Sequence, residues 1–142
     1  MFFEQMHPTW QAAIPDSKAI LDALETKLEQ RGTRYLPEKQ LVMRAFEAPL
    51  DEIRVVIIGQ DPYPTVGHAI GLSFAVAAET KPLPRSLNNI LRELGDDLGK
   101  NIERNGDLSK WADRGVFLLN RHLTTDAADA GAHADLGWGA FT

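Results

Sequence analysis

Nine residues near the middle of the chain, Val55-Val56-Ile57-Ile58-Gly59-Gln60-Asp61-Pro62-Tyr63, join an apolar run to a polar turn. The run begins at Ile53, is rich in β-branched residues and is almost continuously apolar, which predicts a strand that is covered on both faces. Gly59 ends the strand and Pro62 stiffens the turn that follows. We therefore expect Asp61 to be held rigidly at the edge of a mainly parallel sheet.

Helical and strand patterns alternate on both sides of this segment. A helix is predicted from Pro15-Asp16-Ser17 to Gly32, and a short second helix begins near Pro37. After the polar turn we predict a short strand at 72–76, a helix from Ser86 to Gly99, a short helix at 107–114, and a second buried strand at 116–119 that ends at Asn120. This order is typical of an α/β protein with right-handed crossovers, and predicts a three-layer α/β/α arrangement around a mainly parallel sheet.

The chain is expected to form a single domain over residues 1–142, because no repeat, linker or low-complexity tract divides it. Two long buried strands make a small parallel sheet, since sheets usually have about four to six strands. The last residues, Leu136-Gly137-Trp138-Gly139-Ala140-Phe141-Thr142, resemble the start of a helix that is not terminated. We therefore expect that the domain is incomplete at its C-terminus and that further strands are missing.

Composition narrows the possible classes of function. The chain has no cysteine, which excludes disulfides, cysteine-ligated zinc and iron-sulfur clusters. It has no apolar run of the length that a membrane span needs, so a cytoplasmic location is expected. The net charge of −5 argues against an extended contact with a nucleic acid backbone, although a small local basic face would be enough for a brief encounter.

Two polar positions stand at the carboxyl ends of the predicted strands. In parallel sheets ligands bind at these ends, where Asp61 and Asn120 are placed. A rigid carboxylate can orient or deprotonate water and stabilise a sugar cation, which is the chemistry of glycosidic bond hydrolysis. Judged by spacing alone, an ordinary Asp-Pro turn is the simpler interpretation.

Several separate segments resemble the main uracil-DNA glycosylase family. They are Val55 through Tyr63, Gly71-Leu72-Ser73-Phe74-Ala75-Val76, Pro84-Arg85-Ser86-Leu87, Gly115 through Asn120 with Leu123-Thr124, and His133 through Gly137-Trp138 to Phe141-Thr142. The resemblance runs from about Pro8 to the last residue. Motifs in the same order at compatible spacing are more specific than any one of them, and together they favour an enzyme that removes uracil from DNA.

The resemblance implies a role for each of six residues. Asp61 would act on the attacking water and stabilise the sugar cation, Gln60 would line the uracil pocket partly through its backbone amide, and Ser86 would bind a DNA phosphate at a helix N-terminus. Without the resemblance, Ser86 would be an ordinary helix cap.

The other three residues would recognise the base. Phe74 would stack on uracil, and Tyr63 would close off the C5 edge against the methyl group of thymine. Asn120 would read the Watson-Crick edge of the base, because a side-chain amide offers a donor and an acceptor side by side. Core packing for Phe74 and Tyr63 and a strand-end cap for Asn120 are the ordinary alternatives.

The sequence also departs from the family pattern. Pro64 and Ile70 stand where the family often has histidine, and no segment resembles the family's later His-Pro-Ser loop, which binds the departing uracil and wedges into the base stack. His133 belongs to a different segment and does not replace it. Because base flipping costs a few kcal/mol and one preorganised donor contributes about 2.7 to 4 kcal/mol, we expect this chain alone to be weakly active or inactive and to be unstable.

We expect neither a metal nor a cofactor, since His68, His122 and His133 lack the spacing of metal ligands. The expected partner is uracil-containing DNA, single- or double-stranded, bound by a monomer and without a membrane. Two alternatives remain. The first is a nucleotide-binding module that uses the loop from Gly59 to Gly71, although this loop lacks the glycine fingerprints of such modules. The second is a non-catalytic truncated remnant.

Overall fold

A computed structural model describes all 142 residues as five α-helices, four β-strands and four short 3₁₀ turns. In chain order the helices and strands are α1 (Phe2–Gln5), α2 (Pro8–Ala13), α3 (Ser17–Arg31), β1 (Tyr35–Leu36), β2 (Val55–Gly59), α4 (Arg85–Leu98), α5 (Ser109–Ala112), β3 (Val116–Asn120) and β4 (Thr125–Asp126). None of the helices combines the length and the apolar composition that a membrane crossing requires.

The two long strands form the predicted parallel pair. β2 and β3 run side by side with Val55 opposite Val116 and Gly59 opposite Asn120. The predicted α/β class is confirmed by this pair and the surrounding helices, whereas the three-layer arrangement stays a prediction. The register matters for function, because it brings the residues that follow Gly59 next to the end of β3.

The prediction that β2 is covered on both faces is wrong. Val55, Val56 and Ile58 are 51%, 56% and 57% exposed, respectively. Paired residues of a parallel ladder point to the same face, so Val56 shares a face with Phe117, on which Trp10 stacks with ring centroids 5.0 Å apart. The aromatic side chains that pack on Phe117 of β3 do not extend over Val56 of β2. β2 has β3 as its only neighbouring strand, which leaves an apolar edge strand open to solvent.

The predicted strand at 72–76 is also wrong. This segment makes a tight turn, in which the Ala75 N–H donates to the Leu72 carbonyl at 3.2 Å and Phe74 adopts a φ of +64°. Its only ladder contact is an isolated bridge between Val76 and Ala69. Alternating apolar residues suggested a strand, but the left-handed backbone at Phe74 reverses the chain.

The two long helices were predicted well. α3 ends at Gly32, whose φ of +64° is the left-handed conformation typical of a helix end. α4 ends in the same way at Gly99, with a φ of +60°. The N-terminal cap of α4 is Pro84, so Ser86 is the second helical residue and not the cap that was predicted.

Three shorter predictions need correction. The helix expected near Pro37 is replaced by two 3₁₀ turns, Lys39–Leu41 and Arg44–Phe46. The helix expected at 107–114 is limited to α5, and the helix start expected at the C-terminus is a 3₁₀ turn, Trp138–Ala140. In each case the apolar residues do pack in the core, but a single short turn is enough to place them there.

The core joins both ends of the chain. Phe2 and Trp138 are fully buried, with ring centroids 5.8 Å apart, and α3 contributes three leucines to the same cluster. A small antiparallel sheet of β1 and β4, which the sequence did not suggest, connects the end of α3 to the segment after β3. This sheet positions the residues that close one side of the candidate site.

Candidate active site

The candidate site lies at the carboxyl ends of β2 and β3. There a cavity of about 240 Å³ opens between the loop after β2, the turn at Phe74, the start of α4 and the segment after β4. Ten residues line it: Gly59, Gln60, Asp61, Pro62, Tyr63, Pro64, Phe74, Ser86, Asn120 and Ala130. All six residues that the sequence singled out are among them, although they are separated by up to 60 positions in the chain.

Asn120 is held against the backbone of the neighbouring strand. The residue is only 8% exposed, and its side chain packs on Gly59 across the parallel ladder. A Cβ at position 59 would overlap the Asn120 Oδ1 and lie 2.9 Å from the Cβ of Ser73. Glycine is therefore required here for close approach, and the approach fixes the Asn120 amide at the cavity wall.

Asp61 stands at the junction of two spaces. It lines the 240 Å³ cavity and also a void of about 10 Å³ that it shares with Tyr63, Phe74 and Asn120. That smaller volume is comparable to the minimum that one water molecule needs. The Oδ2 atom of Asp61 is buried and has no hydrogen-bond partner within the protein. Because a buried unpaired carboxylate oxygen is costly, this atom is available for a ligand or a reacting group.

Phe74 and Tyr63 form one unit. The Tyr63 hydroxyl donates to the Phe74 carbonyl at 3.0 Å and lies 3.5 Å from the Ser86 Oγ. Burial raises the pKa of Tyr63, and the contact with Ser86 opposes that rise, so the hydroxyl stays protonated near neutral pH and can donate. The left-handed φ of Phe74 costs about 1–3 kcal/mol in a non-glycine residue. Such strain is typical of functional sites and was not visible in the sequence.

Gln60 and Ser86 occupy the rim. Both are exposed, and the Gln60 carbonyl accepts from the His122 N–H at 2.9 Å, which links the loop after β2 to the residues after β3. Ser86 lies in the first turn of α4, where unpaired backbone N–H groups and the helix dipole favour an anion.

One wall of the cavity was not predicted from the sequence. Ala130 lines it, and a Cβ placed on Gly131 would have the Asp61 Oδ2 as its nearest heavy atom, at 3.8 Å. The Ala128 N–H donates to the Pro64 carbonyl at 2.8 Å, so this segment also contacts the loop that carries Asp61. Small apolar residues have no chemical signature, and no pattern in the sequence could have identified them.

The three histidines that were considered as metal ligands are not clustered in the structure. His133 is bonded to Thr124 and Asp126, and no group of three or more histidine, aspartate or glutamate side chains is arranged to hold a metal ion.

Comparison with known proteins gives consistent results, although no protein-family model matches the chain. A uracil-DNA glycosylase of Mycobacterium ulcerans is 46% identical over 142 residues, which cover 98% of this chain and 63% of that protein. One from Mycolicibacterium smegmatis is 54% identical over 119 residues, or 84% of this chain and 52% of the relative. The chain thus spans about half to two thirds of the length of these curated relatives.

Solved structures agree. The crystal structure of mimivirus uracil-DNA glycosylase superposes with a TM-score of 0.85 at 33% identity, covering 99% of this chain and 55% of that one. A variant of the mimivirus protein was solved in complex with UGI. UNG from Nitratifractor salsuginis, at 22% identity and a TM-score of 0.62, shares the fold.

Proposed function

Since this chain is a homologue of the uracil-DNA glycosylases along almost its whole length, we propose that its cavity holds a uracil flipped out of DNA and that Asp61 promotes hydrolysis of the N-glycosidic bond. The observation that carries this proposal is the convergence of Asp61, Phe74 and Asn120 on one cavity of about 240 Å³. A carboxylate, an aromatic ring and a side-chain amide are the three groups that binding and releasing a pyrimidine require.

Recognition of the base is assigned to Asn120. Its amide would accept from N3–H and donate to O4 of uracil, whereas cytosine presents the reversed pattern at those two positions. The buried contact with Gly59 supports this role, because it prevents the amide from turning to suit another base. With cytosine, the buried Asn120 amide and the edge of the base would be left without hydrogen bonds. Because this raises the free energy of binding, the wrong base is rejected.

Phe74 and Tyr63 would shape the pocket around the ring. Phe74 offers an aromatic face for stacking, and its strained backbone is held by the hydrogen bond from Tyr63. Tyr63 would occupy the space that a C5 methyl group needs. Because this bond ties the Tyr63 ring to the backbone that carries Phe74, rejection of thymine and stacking on uracil depend on one contact.

Asp61 would carry the chemistry. When the bond between C1′ and N1 breaks, its electron pair leaves with uracil, and positive charge develops on the sugar. The Asp61 carboxylate stabilises this charge and orients a water molecule, whose oxygen bonds to C1′ while its proton passes to the carboxylate. The buried Oδ2 without a protein partner supports this role, since hydrogen bonds inside the protein would weaken it as a base.

DNA would be bound at the rim by Ser86, with a phosphate at the N-terminus of α4. The net charge of −5 makes an extended backbone contact unfavourable, so the encounter is brief and local. We further propose that the protein acts as a monomer in the cytoplasm on single- or double-stranded DNA.

Uracil release tests the proposal. The chain, in excess over a uracil-containing oligonucleotide, is incubated under single-turnover conditions, and abasic sites are cleaved and counted on a gel. We expect slow release, weaker than that of a full-length enzyme because no residue matches the His-Pro-Ser loop, and a fall of about 10²- to 10⁴-fold in Asp61→Asn. An oligonucleotide with thymine or cytosine is the control. Equal release by Asp61→Asn, or tight binding of free nucleotides without any release, would contradict the proposal.

A further inference from the structure

The missed wall of the cavity is held by a chain of side-chain hydrogen bonds. The wall is the segment 126–133, which we call the wall segment; it contributes Ala130 to the cavity and places Gly131 beside Asp61. Gly131 has a φ of +76°, so the segment bends sharply at its closest approach to the carboxylate. Whatever fixes the two ends of this segment also fixes the space around Asp61.

One side-chain bond closes the segment on itself. The Nε2 of His133 lies 3.1 Å from the Asp126 Oδ1, joining its last residue to its first. Asp126 is in turn anchored to the end of α3 and the residues after it, since it accepts from Arg31 at 2.5 Å and from Thr33 at 3.0 Å. The His133 side chain is completely buried.

The other ring nitrogen is tied to the core. The His133 Nδ1 lies 2.7 Å from the Thr124 Oγ1, which accepts from the Nε1–H of the fully buried Trp138, also at 2.7 Å. An indole N–H can only donate, so the Thr124 hydroxyl is free to donate its own hydrogen to Nδ1. Nδ1 is then the acceptor, and Nε2 carries the hydrogen that it donates to Asp126.

With the His133 ring neutral, each of its two nitrogens has a hydrogen-bond partner. The opposite tautomer would place a bare Nε2 lone pair against the Asp126 carboxylate, which is repulsive. Burial also lowers the pKa of His133, although Asp126 opposes this, and so the neutral form is favoured. The hydrogen bonds thus run in one direction from Trp138 through Thr124 and His133 to Asp126, whose carboxylate also accepts from Arg31.

We propose that His133 is a positioning residue, which holds the wall segment against Asp61 through its bonds to Thr124 and Asp126. This inference rests on the proposed function, because Asp61 is taken to be the group that acts on water. His133 does not line the cavity, whereas Ala130 does and Gly131 lies beside Asp61. A shift of about 1 Å in the wall would change the space in which water and the sugar meet the carboxylate, and such displacements can reduce a rate by about 100-fold.

The test compares His133→Phe, which keeps the volume but removes both bonds, with His133→Gln, whose side-chain N–H can still reach Asp126. The matched control is Glu25→Gln, which removes the negative charge that pairs with Lys39 at another buried residue of α3, one that does not line the cavity. We expect the single-turnover rate of uracil release to fall about 10- to 100-fold in His133→Phe, with DNA affinity nearly unchanged. Partial rescue is expected in His133→Gln and no change of rate in Glu25→Gln.

Amide NMR spectra provide a second readout that needs no catalysis. The backbone signals of Ala130, Gly131 and Asp61 should move in His133→Phe and stay in place in Glu25→Gln, and the wild-type His133 ring should show the Nε2–H tautomer. Unmoved signals together with a wild-type rate would overturn the inference, as would equal slowing by Glu25→Gln. If Asp61→Asn releases uracil as fast as the wild-type chain, the proposed function fails, but the spectra still decide whether His133 holds the wall. Should His133→Phe not fold, His133→Gln carries both readouts.

Discussion

Replacing Gly59 with alanine tests whether packing between the strands fixes the amide that is proposed to read uracil. The new methyl group would overlap the Asn120 Oδ1 and lie 2.9 Å from the Ser73 Cβ. Ser73 is fully buried and Asn120 is 8% exposed, so neither can move into solvent without disturbing the core. The Asn120 amide must therefore rotate or shift away from its place in the cavity wall.

The expected cost has two parts. Overpacking at a well-packed position typically lowers the free energy of unfolding by about 1–3 kcal/mol. Losing two neutral hydrogen bonds to uracil, at about 0.5–1.5 kcal/mol each, would reduce uracil release by about 5- to 140-fold, since about 1.4 kcal/mol corresponds to a factor of ten. Chemical denaturation measures the first quantity, and single-turnover uracil release measures the second.

The double variant Gly59→Ala with Asn120→Ala separates these two effects. It removes the oxygen that is overlapped, so it should recover part of the stability without recovering the rate. A Gly59→Ala protein that releases uracil at the wild-type rate would refute the reasoning, because the amide would then either tolerate displacement or have no part in recognition.

Other residues give further predictions. Tyr63→Ala should open the C5 side of the cavity and allow the protein to release thymine from DNA. The wild type should release no thymine. If the variant keeps the wild-type preference for uracil, Tyr63 is not the barrier. Since burial lowers the pKa of His133 from its ordinary value of 6.5, the unfolded chain takes up a proton first as the pH falls. Stability should therefore be fully present above pH 6.5 and decline below it, and His133→Gln should flatten that decline in denaturation curves recorded from pH 7.5 to pH 5. Val56 and Ile58 are more than half exposed on one face of β2, so replacing both with threonine should reduce aggregation measured by light scattering without lowering the unfolding midpoint by more than a few degrees.

Local patterns predicted the elements whose shape depends on local spacing. α3 and α4 each combine an apolar stripe with a glycine just past the end, and the structure has them nearly where the sequence placed them. The same reasoning failed at Phe74, where alternating residues look like a strand. The backbone there depends on the hydrogen bond from Tyr63, which is eleven positions away and cannot be inferred from spacing.

Burial of β2 was predicted wrongly for a different reason. An apolar run shows that a strand prefers to be covered, but the cover itself comes from other parts of the fold. Trp10 and Phe46 pack on Phe117 of β3, and no residue of this chain extends that layer across Val56 and Ile58. The run of β-branched residues therefore described the preference of the strand and not its surroundings.

The general location of the site followed from topology. Residues after the carboxyl ends of neighbouring parallel strands meet at one edge of the sheet, which brought Asp61 and Asn120 together. The wall at Ala130 could not be predicted, because its position depends on a hydrogen-bonded histidine three residues further on. The roles of the individual residues remain predictions that the variants above test.

A titration with free uracil most directly tests whether the cavity recognises this base. The side-chain amide signals of Asn120 and the ring signals of Phe74 are followed by NMR while uracil or cytosine is added to the wild-type chain and to Asn120→Ala. We predict that uracil shifts both sets of signals in the wild type, that cytosine at the same concentration does not, and that the response to uracil is lost in the variant. Equal shifts with both bases, or shifts confined to residues outside the cavity, would contradict the account.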